Sequence, residues 1–298
     1  MLAARFTAGE NRLGGPLPSE IFQLPNMEVI WLNSNNITGP IPSELGHATN
    51  LLALDITGNH LTGEIPSTIG DLTKLKVLML GGNGLQGQIP SEMSGLTNLT
   101  SIMLEQNAFS GTIPDLFDLQ SLSILHLGNN QLAQQAFPSW VANLTSLTDL
   151  RLNGCGLTGQ IPHKISDLVG LQWLHLQNNN LSGEIPTTLA SVTPLIELSL
   201  HNNLLTGGMP YELTFLTNLE VLALANNHLD GTLPVTLGGM SKLKTLSLEN
   251  NSFGGEIPGS IVVLTLLEIM DFSFNNFTGP LPANFGEMTS LSKFDAIK

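Results

Sequence analysis

The stretch LKVLMLGGNGL, residues 75–85, sets the fold. Apolar residues stand at Leu75, Leu78, Leu80 and Leu85, around Asn83. Alternation at period two over so short a run is the pattern of a strand with one buried face. The same frame returns along the whole chain. Asn11, Asn35, Asn59, Asn83 and Asn107 lie 24 residues apart. Asn130 follows 23 on and Cys155 25 on, and then come Asn179, Asn203, Asn227, Asn251 and Asn275. Each has apolar residues eight, five and three before it and one two after. Around Asn227 these are Leu219, Leu222, Leu224 and Leu229, and around Asn275 they are Leu267, Met270, Phe272 and Phe277. A fixed period of this length means an array in which each unit buries its apolar face against its neighbours.

The twelve-position column has a structural reason. Each strand ends in an inward turn that leaves backbone N–H and C=O groups buried. An Asn side chain carries both a donor and an acceptor, so a stack of them satisfies successive turns. Cys155 is the small, weakly donating substitute, and catalysis by it would need an exposed, electropositive setting.

The second half of each repeat reads ITGPIPSEL at 37–45, LTGEIPSTI at 61–69, LTGQIPHKI at 157–165 and LSGEIPTTL at 181–189. Frame and LTGxIP segment together resemble the plant-type leucine-rich repeat of receptor-like kinases, receptor-like proteins and polygalacturonase-inhibiting proteins. The resemblance covers nearly the whole chain. It implies an α/β repeat solenoid of about twelve 24-residue repeats, twisted into a superhelix. The concave side would carry a parallel sheet, the LTGxIP segments would form flank strands, and the convex side would carry short 3-10 or helical turns. Gly permits the positive φ of the flank, and Pro ends it and starts the turn. After Asn130 the chain reads QLAQQAFPSW instead, so the flank strand is expected to be lost there, as a tolerated loop insertion or, in the alternative, as a bend or contact loop with Trp140 as an exposed anchor.

Composition narrows the function. Ten Lys and Arg against 24 Asp and Glu give a net charge of −14, which argues against nucleic acid or anionic membrane as the partner. One cysteine excludes an internal disulfide. The apolar run 261–267 is far short of the ~20 residues of a membrane span. The opening MLAARFTAGENRL has no apolar stretch of signal-peptide length. No cofactor motif, nucleophile elbow or metal-binding helix motif occurs, so the chain is expected to be non-catalytic and to need no cofactor.

The organisation expected is one solenoid over 1–298, with a truncated first repeat at 1–13 and the start of another at 291–298. Solenoids need capping units at both ends, and the family's cysteine-paired caps are missing. The chain therefore reads as a segment of a longer polypeptide.

Residues six, four and two before each ladder position face away from the core. Val77, Met79, Met103 and Ile124 are expected there as an exposed apolar strip. His126, Arg151, Trp173, His175 and His201 adjoin it, with Asp149 and Glu197 at the edge. Apolar residues beside Arg and Trp make a protein or peptide interface. Arg151 would offer its planar fork to a ligand carboxylate. Some family members read a peptide C-terminus with an R-x-R strand, but here that strand is Arg151-Leu152-Asn153. The histidines fall short of a three-ligand zinc site, so no metal is expected. Clustered histidines would make ligand binding depend on pH. Six N-x-S/T sequons occur, at Asn36, Asn98, Asn143, Asn180, Asn250 and Asn276. Asn36, Asn180 and Asn276 follow from the repeat consensus, and Asn98 and Asn143, in the convex turn region, are the better acceptors. The family resemblance implies a peptide- or protein-binding ectodomain segment on the extracellular side of the plasma membrane or secreted, its complex completed by a co-receptor. The alternative is a free-standing inhibitor or scaffold.

Overall fold

The computed structural model describes residues 4–296. Met1 to Ala3 of the expected partial first repeat, and Ile297 and Lys298, lie outside them. Two compact units are formed, Met1–Gly156 and Leu157–Lys298. Each is a stack of repeats built from an inner strand, a tight turn, a flank segment and a convex return. In the first unit the inner strands are Ala4–Thr7, Met27–Trp31, Ala53–Asp55, Val77–Met79, Ser101–Met103, Ile124–His126 and Asp149–Arg151. In the second they are Trp173–His175, Glu197–Ser199, Val221–Ala223, Thr245–Ser247, Ile269–Asp271 and Lys293–Asp295. Within each unit the strands pair in parallel and in chain order.

Register carries each residue onto its equivalent in the next repeat. Val77, Ser101, Ile124 and Asp149 form one column, and Met79, Met103, His126 and Arg151 the next. This stacking puts chemically different residues side by side at the ~4.8 Å strand spacing. The middle residue of each inner strand points the other way. Leu75, Leu78, Leu80 and Leu85 are buried almost completely, as are their equivalents in most repeats. Each such leucine contributes about 1.5–3 kcal/mol of burial.

The LTGxIP segments form the flank. Asn36–Gly39, His60–Gly63, Gly84–Gln88 and Ala108–Ser110 join Gly14–Pro16 in a parallel flank sheet of the first unit. Gly63 sits at φ +76°, where a side chain would be strained. Pro66 then precedes the 3-10 turn Ser67–Asp71, its fixed φ suiting the turn's start.

The two irregular spacings act on different faces. The 23-residue repeat has no 3-10 turn after Pro114, and the Phe117 N–H bonds instead to Asp115 Oδ1 at 2.9 Å. The 25-residue repeat absorbs its extra residue on the flank. The strand expected to be lost there survives in part as Gln135–Ala136, which stays out of its unit's flank sheet. The Gln135 side chain reaches back so that its Oε1 accepts the Ile113 N–H at 3.0 Å, standing in for a strand carbonyl. Trp140 is half-buried in the 3-10 turn Ser139–Asn143 rather than exposed.

Candidate ligand-binding face

The residues singled out in the sequence fall into two clusters, one on the inner sheet of each unit. In the first unit Val77, Met79, Met103 and Ile124 are half-buried, a shelf of low relief instead of an exposed strip. Ser101, between Val77 and Ile124 in its column, is buried. His126 was expected at the surface and is only 7% exposed. The reason is Asp149 on the adjacent strand, whose Oδ2 lies 3.0 Å from His126 Nε2. Arg151 closes on the same carboxylate from its own strand, with Nε 2.9 Å from Oδ1 and Nη2 3.0 Å from Oδ2. The guanidinium edge expected to take a ligand carboxylate is thus held by Asp149. Burial opposes ionisation of Asp149, but hydrogen bonding and charge from His126 and Arg151 outweigh it and hold its pKa below the ordinary value. The cluster is a preassembled polar triad beside an apolar shelf.

In the second unit Trp173 and His175 share a strand and are half-buried. His175 Nε2 lies 3.3 Å from Glu197 Oε1, and the Ser199 hydroxyl donates to that same oxygen at 3.1 Å. Burial pushes the His201 imidazole below its ordinary value, against the pull of Glu249 and Glu197 and together with a smaller push from His175. Among the described residues no group of three His, Cys, Asp or Glu side chains is arranged to hold a metal ion.

The asparagine column is bonded in both directions. Asn35, Asn59, Asn83, Asn107 and Asn130 accept, through Oδ1, the backbone N–H groups of Leu13, Ile37, Leu61, Leu85 and Phe109. Asn179, Asn203, Asn227, Asn251 and Asn275 do the same for Leu157, Leu181, Leu205, Leu229 and Phe253. Their Nδ2 groups donate to turn carbonyls. Asn11, exposed, donates to Ala8 and Gly9. Cys155 Sγ lies 3.4 Å from the Leu127 carbonyl, and burial raises its pKa to about 12.

A second asparagine column escaped the sequence reading. The residue before each ladder position takes a positive φ, and Asn129, Asn178, Asn202, Asn226 and Asn250 fill it at φ 53–59°. Asparagine tolerates this region better than other side chains do. These side chains also join up, Asn202 donating to Asn178 and Asn250 to Asn226, both at 2.8 Å. The doubled N-N pairs at 178–179, 202–203, 226–227 and 250–251 were the available signal.

The six sequon asparagines are exposed. Asn98, one of the two favoured as an acceptor, already donates to the Thr73 carbonyl at 2.8 Å, and Asn143 to Trp140 at 3.4 Å. No helix among the described residues is long and apolar enough to cross a membrane.

Two family models, both described as leucine rich repeat, match residues 49–109 with 217–277, and 26–48, 146–168 and 170–192, together more than half of the chain. A probable leucine-rich repeat receptor-like protein kinase of Arabidopsis thaliana is 38% identical over 65 residues, which are 22% of this chain and 7% of that protein. The plant peptide hormone receptor RGFR1, solved in complex with RGF2, superposes with a TM-score of 0.85 at 30% identity. That match covers 98% of this chain and 51% of the receptor chain, so the chain spans about half of it. The leucine-rich repeat protein LIC12759 of Leptospira interrogans matches at 31% identity and a TM-score of 0.75, over 96% of this chain and 70% of that one.

Proposed function

Because the chain belongs to the leucine-rich repeat proteins, with repeats of the plant type, we propose that it is a non-catalytic binding module whose inner sheet takes a peptide or protein ligand. In this reading it is part of the extracellular region of a receptor-like kinase or receptor-like protein, and a co-receptor completes the complex. The observation that carries the reading is the character of the inner face. Half-buried Met79, Met103, Ile124 and Trp173 lie among polar and ionisable groups already held in place by neighbours. Side chains ordered before binding lose little entropy on binding, which favours recognition by a fixed surface. The likeness to a peptide hormone receptor supports the same role.

The test is panning of a displayed random dodecapeptide library on the immobilised chain. Enriched peptides are expected to lose at least tenfold in affinity on Met103→Glu or Trp173→Ala. They should bind Val169→Glu, on the exposed convex side, as they bind the wild type. Enriched peptides indifferent to both inner-face changes would refute the reading.

A further inference from the structure

The inner face of the second unit has an uneven relief. Val221 and Ala223 of one strand, with Ala225 just beyond it, present small side chains towards the ligand side. The strands on either side present Glu197, Ser199 and then His201, and Thr245, Ser247 and then Glu249. Ala223 is 9% and Ala225 2% exposed, so this column lies below its neighbours, which already cover Ala225. At ~4.8 Å per strand its two walls are about 10 Å apart, a width that admits one extended alkyl chain.

Each wall carries a glutamate fixed by a serine of its own strand. Ser199 Oγ donates to Glu197, and Ser247 Oγ donates to Glu249. His201 Nδ1 is buried at the rim without a hydrogen-bond partner. Beyond Glu249 a cavity of about 590 Å³ continues the acidic surface. It is lined by Glu249, Asp271, Asp295 and the 58% exposed ring of Phe274. Across the six inner strands of this unit the columns hold the carboxylates of Glu197, Glu249, Asp271 and Asp295. The lone lysine among them, Lys293, is already paired with Asp271 at 3.6 Å and Asp295 at 3.1 Å.

We propose that this face takes a basic peptide segment, with one lysine or arginine meeting Glu197 beside Val221 and a second meeting Glu249 beside Ala225, about 13 Å further along the strand direction. The proposal rests on the reading of the inner sheet as a ligand face and names the chemistry of the ligand. The alkyl stems of the basic residues lie along the low column of Val221 and Ala223, and each charged head meets a carboxylate that a serine holds in position. A neighbouring basic residue of the same segment would meet Phe274 and its carboxylates, where an exposed ring and a cation attract.

The dodecapeptides enriched on the chain supply the test. They are expected to carry net positive charge. Their affinity, read by fluorescence anisotropy, should fall about tenfold on Glu197→Gln together with Glu249→Gln, since two ion pairs of about 0.7 kcal/mol each are lost. Glu184→Gln, exposed outside the inner face, should change nothing. Neutral or acidic peptides that depend on Met103 or Trp173 would overturn this inference and leave the binding face standing. Basic peptides unaffected by the double change would overturn it too. Peptides indifferent to every inner-face substitution would overturn both.

Discussion

Replacing Asn203 by alanine tests the physical basis of the stack. The Asn203 side chain is buried, and its Oδ1 accepts the Leu181 N–H at 3.0 Å. Its Nδ2 donates to the carbonyls of Leu176 and Leu200, both at 3.0 Å, and to His201 at 3.4 Å. Leu176 and Leu181 belong to the preceding repeat, so one side chain ties two repeats together. Each such bond is worth about 1 kcal/mol net, and a buried amide left without a partner costs roughly 1–3 kcal/mol. Asn203→Ala should therefore destabilise the protein by about 3–5 kcal/mol. Asn11→Ala removes only two exposed bonds and should cost under about 1 kcal/mol. Asn203→Cys keeps a weak donor but no strong acceptor, and should fall between them. Urea unfolding followed by circular dichroism measures all three. An Asn203→Ala protein within 1 kcal/mol of the wild type, or no weaker than Asn11→Ala, would refute the reasoning.

Two further outcomes follow from buried titratable groups. The Asp149 pKa is lowered in the folded chain, so its contribution to stability is present above the ordinary value of 3.8 and is lost as pH falls through the lower folded value. Asp149→Asn should flatten the acid limb of stability measured between pH 5 and 2, and an unchanged acid limb would contradict the triad. The Cys155 thiol, raised to about 12 and buried, should not react with a thiol-specific disulfide reagent at pH 8 until the chain is unfolded. Fast labelling of the folded protein would contradict its place in the ladder.

Much of the fold was legible because the period states it. The frame around Asn83 located the strands, and LTGxIP located the flank and the start of most convex turns. The irregular repeat was legible only as a change in spacing. Whether a missing residue costs a convex turn or a flank strand depends on local bonds such as Phe117 to Asp115 and Ile113 to Gln135, and no period encodes these. The facing columns were legible too, since strand alternation fixes which residues look outward. Their exposure was not. Asp149 lies 25 residues from Ile124 and 23 from His126, and only stacking shows that it takes both His126 and Arg151. A sequence lists the outward residues but not which of them consume one another. The second asparagine column was missed for a related reason. The N-N pairs were visible, but a positive φ at the first of each pair is a property of the turn.

The central claim is that the ligand lies on the inner sheet. Photo-crosslinking tests it most directly, using an enriched dodecapeptide that carries a benzophenone side chain and mapping the adducts by mass spectrometry. The account predicts adducts at inner-face residues such as Met79, Met103, Trp173 or Val221. Adducts confined to exposed convex residues such as Val169, Phe215 or Val263 would contradict it.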